Sequence, residues 1–280
     1  MFTTTRRRTL VFVLAMLAVV ALATATSARH SWRKYHWGRT SNPFTVKLGN
    51  NVNSAWGSYL NEAASDWSQS AVLDANVVAG SSNPSTCNPT TGRVEVCNAA
   101  YGSTGWLGIA SVWTNGFHIT AGTVKLNDTY FSQARYNTPS WMRMVTCQEV
   151  GHTFGLDHQD GNFSNLNLGT CMDYSNDPSG TAGTNGTLSN EHPNGHDFEQ
   201  LASIYSHIDS SSTVGLRVNP SADAPGQEVR NQQWGYLVRS TNGGRTQLFE
   251  NDLGGGRKVF TFVIWAEPEW QSDDDEGAGH

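Results

Sequence analysis

The residues best suited to chemistry lie in one stretch, 148–158, which reads Gln-Glu-Val-Gly-His-Thr-Phe-Gly-Leu-Asp-His. On a helix, Gln148 and His152 lie one turn apart and project from the same face, and Glu149 lies beside that face. Gly155 allows the chain to leave the helix sharply, so His158 can return towards the same point. Three side chains then converge and leave one coordination position open, as a catalytic zinc ion requires.

This stretch resembles the metzincin clan of zinc endopeptidases, whose motif is H-E-x-x-H-x-x-G-x-x-H followed by a methionine turn. Residues 149–158 match the motif throughout, and Cys171-Met172-Asp173-Tyr174 follows at a suitable distance for the turn. The resemblance covers roughly residues 43–208. It implies an endopeptidase with one catalytic zinc ion, acting on a protein or peptide substrate.

The departure from the motif is Gln148, because the family has histidine at this position. Its Oε1 atom is as many bonds from Cα as a histidine Nε2, so its reach is similar, but zinc prefers imidazole to an amide oxygen. Two interpretations stay open. One is a weakened but working Gln/His/His site; the other is a degenerate site in a protein that serves as a secreted binding module. The intact Glu149 favours the first.

The resemblance implies a role for each residue of the motif. His152, His158 and Gln148 would be the zinc ligands. Glu149 would be the general base that deprotonates water and protonates the leaving amine. Met172 would lie beneath the metal.

Other polar residues are weaker candidates. Tyr174 matches a family tyrosine that stabilises the reaction intermediate, and the alternative is a packed tyrosine. A histidine in a strand, such as His118, is more often structural than a ligand. His192 and His196 are candidate substitute ligands.

Three carboxylates could bind calcium, although their spacing fits no EF-hand loop; they are Asp157, Asp160 and Asp173.

The helix that carries the motif is predicted over 141–154, with Thr138 or Ser140 as its cap and Gly155 at its end. Two more helices are predicted, one over 56–67, capped by Asn53 or Ser54, and one over 194–207. Strands are predicted at 44–48, 72–78, 93–96, 107–113, 118–127, 234–240 and 259–265. This order indicates an α+β fold. It would comprise an α/β-like N-terminal subdomain with a mixed twisted sheet, a helical and loop-rich C-terminal subdomain with the methionine turn, and a small β extension.

The start of the chain is typical of an exported protein. Three arginines at 6–8 precede an apolar run at 10–22, and small residues offer cleavage near Ala25 or Ala28. The apolar run is shorter than the roughly 20 residues of a membrane span. We therefore predict a secreted protein without stable membrane association. Its segments would be a signal peptide (1–28), a lead-in (29–42), the metallopeptidase domain (43–208), a β-rich extension (209–271) and an acidic disordered tail (272–280).

The charge balance bears on the partners. The chain has 18 Lys and Arg residues against 24 Asp and Glu residues, and cleavage after residue 28 removes three arginines and no acids. The remaining net charge, near −9, argues against nucleic acid or anionic lipid as the main partner. We expect a monomer.

Four cysteines in an exported chain indicate two disulfides. The sequence alone allows three pairings. Cys87 and Cys97 flank a turn-rich stretch, so the closure of that short loop is the simplest choice, and Cys147 and Cys171 would form the second bridge. A cysteine-ligated zinc is disfavoured because no C-x-x-C spacing occurs.

Overall fold

The computed structural model describes residues 30–32, 34–160, 162–163, 165–183, 185–216, 234–241 and 246–266. The predicted signal peptide and the predicted acidic tail lie outside the described residues. The strands are β1 (His36–Trp37), β2 (Phe44–Asn51), β3 (Leu73–Ala79), β4 (Val94–Ala99), β5 (Trp106–Asn115), β6 (His118–Asn127), β7 (Tyr236–Thr241), β8 (Thr246–Gly254) and β9 (Arg257–Trp265). The helices are α1 (Gly57–Trp67), α2 (Asp128–Phe131), α3 (Pro139–His152) and α4 (Gly195–Ile204).

The nine described strands form one mixed sheet in the order β3-β2-β4-β6-β5-β9-β8-β7, with β1 paired to β6. The pairs β2–β3, β2–β4, β4–β6 and β1–β6 are parallel. From β5 onwards every pair is antiparallel, and β9 adds directly to β5. Sheet and helices together confirm the predicted α+β fold class.

Helix α1 is amphipathic as predicted, and it buries Leu60, Ala63, Ala64 and Trp67. The prediction of its cap is wrong. The N-cap residue is Trp56, which makes no side-chain cap bond.

The two predicted cap residues, Asn53 and Ser54, precede the helix. Asn53 forms the turn before it, since its Oδ1 accepts the Ala55 N–H and its carbonyl accepts the N–H groups of Trp56 and Gly57.

Three elements were not predicted: β1, β8 and the short helix α2. β8 pairs with β7 and β9, the strands that precede and follow it in the chain. Its sequence is rich in residues that are depleted in strands, among them glutamate, asparagine, aspartate and glycine, so local pattern did not indicate it.

Aromatic side chains from three parts of the chain hold α3 in place. Trp37 Nε1 donates to the carbonyl of Thr153 (2.9 Å), and Trp67 Nε1 donates to that of Cys147 (3.1 Å). Tyr205 Oη donates to the carbonyl of Phe154 (2.8 Å). Because buried polar groups need partners, these bonds fix the helix against α1, β1 and the segment after α4.

Two disulfides are present, Cys87–Cys97 and Cys147–Cys171, and no described cysteine is free. The first closes the loop between β3 and β4. The second joins α3 to the segment just before Met172. Among the described residues, none forms a helix that is long and apolar enough to cross a membrane.

Candidate active site

Helix α3 ends where the predicted motif needs it to end. It begins after Thr138, whose side chain accepts the Trp141 N–H, and its last residue is His152. Gly155 follows with a φ of 97°, and a Cβ atom there would lie 2.7 Å from the Tyr35 carbonyl oxygen. Only glycine tolerates both conditions, so the chain reverses at this point.

Backbone hydrogen bonds on both sides fix the position of His158. The Asp157 N–H donates to the His30 carbonyl (2.5 Å), and the Gln159 N–H donates to the Met172 carbonyl (2.7 Å). The lead-in segment and the turn at Met172 therefore hold the returning chain between them.

The two histidines of the motif face one another. His152 Nε2 lies 2.8 Å from His158 Nε2, and the Tyr174 hydroxyl lies 2.6 Å from the same His158 nitrogen. His152 Nδ1 donates to the Leu156 carbonyl (2.9 Å), which leaves the lone pair of the neutral ring on Nε2. Burial lowers the pKa of His152 to about 4 and that of His158 well below its usual value. Both rings are thus neutral at physiological pH, as metal ligands must be.

Gln148 is held in place by its amide nitrogen. Nε2 donates to the carbonyls of Cys171 (2.8 Å) and Asp173 (3.4 Å). Oε1 is buried and has no hydrogen-bond partner among the described residues. A buried polar atom without a partner is costly, so this oxygen is suited to a ligand such as a metal ion.

Glu149 is buried against β5. The Ala110 N–H donates to its carboxyl group, and its Oε2 atom has no partner in the described part of the chain. Burial raises the pKa of Glu149 well above its usual value, the direction that suits a general base near neutral pH. A Cβ atom at Gly108 would lie 2.8 Å from Glu149 Oε1, so glycine makes room for this carboxyl group.

Met172 lies directly against α3. A Cβ atom at Gly151 would meet Met172 Sδ at 2.6 Å and the Trp67 ring at 2.7 Å. Glycine at 151 therefore permits the close approach of the turn, and the nearby Cys147–Cys171 bridge ties the same two segments.

Strands β7 and β9 cover the histidine pair. The Phe262 ring stacks on His152, with centroids 4.1 Å apart and planes 8° from parallel. Arg239 forms an ion pair with Asp157, beside His158. Neither residue was identified from the sequence. The pattern at 259–265 indicated a strand, but nothing in it indicated which element the strand joins.

The other predicted candidates lie elsewhere. His192 binds Asp66 (Nδ1 to Oδ2, 2.7 Å), and the His196 ring packs beside His30 at 4.7 Å. His118 lies 3.2 Å from Asp209.

Of the three carboxylates considered for calcium, Asp157 is paired with Arg239, and Asp173 Oδ2 accepts from the Leu168 N–H and from Asn190. A group that could share a metal ion does exist among the described residues, and it consists of His36, His207 and Asp209.

The donor set on α3 and in its return segment fits zinc. It offers two neutral imidazole nitrogens that face each other, an amide oxygen that has no partner in the described part of the chain, and an adjacent hydroxyl group. Imidazole nitrogens are usual zinc ligands, and the amide oxygen is a weaker donor.

Compared with known proteins, the chain matches no protein-family model, and no curated protein matches it at a significant level.

Proposed function

We propose that the chain is a secreted zinc endopeptidase of the metzincin type. The observation that carries the proposal is the convergence of two buried, neutral imidazoles, with their Nε2 atoms 2.8 Å apart, at the end of the helix that also presents Glu149. His152 and His158 would hold the zinc ion with Gln148 Oε1 as the third ligand. When bound there, zinc supplies a Lewis acid that activates water and polarises a peptide carbonyl.

The side chains around the zinc position would handle the protons and charges. Glu149 would accept the proton of the attacking water and pass it to the leaving amine. Tyr174 would donate a hydrogen bond to the carbonyl oxygen as negative charge develops on it. Its hydroxyl already lies beside a candidate ligand, at 2.6 Å from His158 Nε2.

We also propose how the peptidase is organised along the chain. Residues 43–208 would form the peptidase domain, with a sheet-containing subdomain before α3 and a loop-rich subdomain around Met172. Secretion after removal of residues 1–28 is supported by the two disulfides, because such bridges persist in oxidising compartments.

A second candidate function is favoured by the position of β9. Phe262 and Arg239 cover the histidines in the described arrangement, so a peptide would reach them only after β9 moves. A protein that keeps this arrangement permanently would be a binding module with the metzincin fold rather than an enzyme.

Hydrolysis of an unfolded protein by the zinc-loaded mature chain separates the two functions. We expect turnover that a chelator abolishes and that His158→Ala eliminates. His192→Ala is the matched control, since it removes an exposed histidine that binds Asp66 and should leave turnover unchanged. Zinc bound without turnover would favour the binding module. Equal zinc content in wild type and His158→Ala would exclude the metal centre.

The shielding role of Phe262 can be tested against a neighbour on the same strand. Phe262→Ala and Phe260→Ala each truncate a buried ring and should each destabilise the fold by about 3–5 kcal/mol. Only Phe262 stacks on His152, whereas Phe260 packs on Trp32 and Tyr35. A chelator should therefore extract zinc faster from Phe262→Ala alone. Equal rates of zinc extraction from the two variants, measured where both remain folded, would show that Phe262 does not protect the metal from the chelator.

A further inference from the structure

Three histidines and an aspartate from separate parts of the chain meet at a second point. His36 lies in β1, His118 begins β6, and His207 and Asp209 follow α4. The Nε2 atoms of the three histidines lie 3.4, 3.2 and 3.5 Å from Asp209 Oδ1. The Nε2 atoms of His36 and His207 are 3.1 Å apart. The donor atoms of His36, His207 and Asp209 thus lie within 4.8 Å of one another, and His118 approaches the same Asp209 oxygen from β6.

These separations match those of a tetrahedral metal site. Four ligands at zinc bond lengths of about 2.0–2.1 Å lie about 3.3 Å from one another. The three separations among the donor atoms of His36, His207 and Asp209 run from 3.1 to 3.5 Å. These three donors therefore already stand at three corners of such a site.

The hydrogen bond of His36 directs its lone pair into the cluster. Nδ1 lies 2.7 Å from the Lys34 carbonyl oxygen, to which it donates, so the neutral ring carries its lone pair on Nε2. That lone pair faces the Asp209 carboxylate and His207 Nε2. Lone pairs and a carboxylate that face each other at this distance repel unless a metal ion or a proton lies between them.

The carboxylate is oriented by Arg39, which is buried. Its Nη1 donates to Asp209 Oδ2 (2.7 Å), as does its backbone N–H (3.2 Å), and its Nη2 donates to the His207 carbonyl. Oδ1 is left to face the histidines. In metal sites, a residue that hydrogen-bonds a ligand from the side away from the metal fixes the orientation of that ligand. The His118 and His207 side chains are 38% and 50% exposed, so an ion can enter from solvent.

We propose that His36, His207 and Asp209 bind one structural Zn²⁺ ion, with His118 as the fourth ligand once its partly exposed side chain turns towards the ion. Three imidazole nitrogens and one carboxylate oxygen suit zinc, and four protein ligands make a closed site. The ion would link β1 and β6 to the segment after α4. The site shares no ligand with the proposed catalytic centre and does not depend on the endopeptidase function.

The test is the zinc content of the mature protein after dialysis against trace zinc, for wild type, His207→Ala, Asp209→Asn and the control His192→Ala. His207 and His192 are about equally exposed, at 50% and 46%, so folding should survive both changes, and circular dichroism checks this. We expect His207→Ala and Asp209→Asn to hold one zinc fewer than wild type and His192→Ala to hold the same number. In wild type, zinc at a hundred times its Kd for this site should raise the Tm by about 5–10 °C.

The outcomes separate this site from the catalytic one. With both sites present, wild type holds two zinc ions and His207→Ala holds one. If only the proposed catalytic centre fails, wild type holds one and His207→Ala holds none. If folded His207→Ala and Asp209→Asn both hold as much zinc as wild type, the structural site is refuted, and the cluster is an imidazole–carboxylate network without metal.

Discussion

Replacing Glu149 with glutamine should lower peptide hydrolysis by about 10²–10⁴-fold and leave zinc bound. The carboxyl group is buried, with Oε2 unpartnered among the described residues, and glutamine has nearly the same shape but cannot accept the proton of water. The fold should tolerate the change, because burial raises the pKa of Glu149 and thus already disfavours the charged form. Steady-state hydrolysis of an unfolded protein and zinc content are the two measurements.

A second carboxylate that contacts α3 gives the matched control. Glu62 of α1 forms an ion pair with Arg143 (3.0 Å) and is partly exposed. Glu62→Gln should leave hydrolysis nearly unchanged and cost no more than about 1 kcal/mol of stability. Similar turnover in Glu149→Gln and wild type, with zinc bound in both, would show that Glu149 is not the base. Loss of zinc from Glu149→Gln would instead give the carboxyl group a role in the metal site.

Replacing Gln148 with histidine should tighten zinc binding at α3 by at least about 10–100-fold, a range comparable to that of changes around metal ligands. The amide oxygen is buried without a described partner, and imidazole is the better zinc donor. Gln148→Leu, which keeps an apolar side chain of similar size and removes the oxygen, should weaken binding. The measurement is competition with a chromophoric chelator, made in a His207→Ala background so that only the site on α3 is titrated.

The two substitutions at position 148 are informative because they should act in opposite directions. Hydrogen bonds from Gln148 Nε2 to the turn at Cys171 and Asp173 are lost in the leucine variant, so its thermal stability must be measured alongside. If folded Gln148→His and Gln148→Leu both bind zinc as wild type does, Gln148 does not contact the metal.

Local rules were sufficient for much of the structure. The capping residue Thr138, the helical body of α3 and the left-handed Gly155 depend on neighbours within a few residues. Apolar periodicity likewise predicted α1 and most of the strands. These features follow from backbone sterics and side-chain spacing, which the order of the residues specifies directly.

The periodicity of apolar residues did not predict which segments of the chain pack against one another. Residues 29–42 were predicted only as a lead-in to the domain, yet Trp32 and Trp37 are buried in the core. Strand β8 was missed because its sequence is rich in residues that are depleted in strands. An apolar pattern shows which face of a segment is buried but not which other segment covers it.

The sequence by itself determined the spacing that brings His152 and His158 together, since they are six positions apart with one glycine turn between them. Only the tertiary structure decided that β9 pairs with β5 and lays Phe262 on His152, and that Arg239 reaches Asp157. The same holds for the second cluster, in which His36 and Asp209 meet across 173 positions of the chain. Such contacts arise from the order of strands in the sheet, which many weak interactions select together and no local motif encodes.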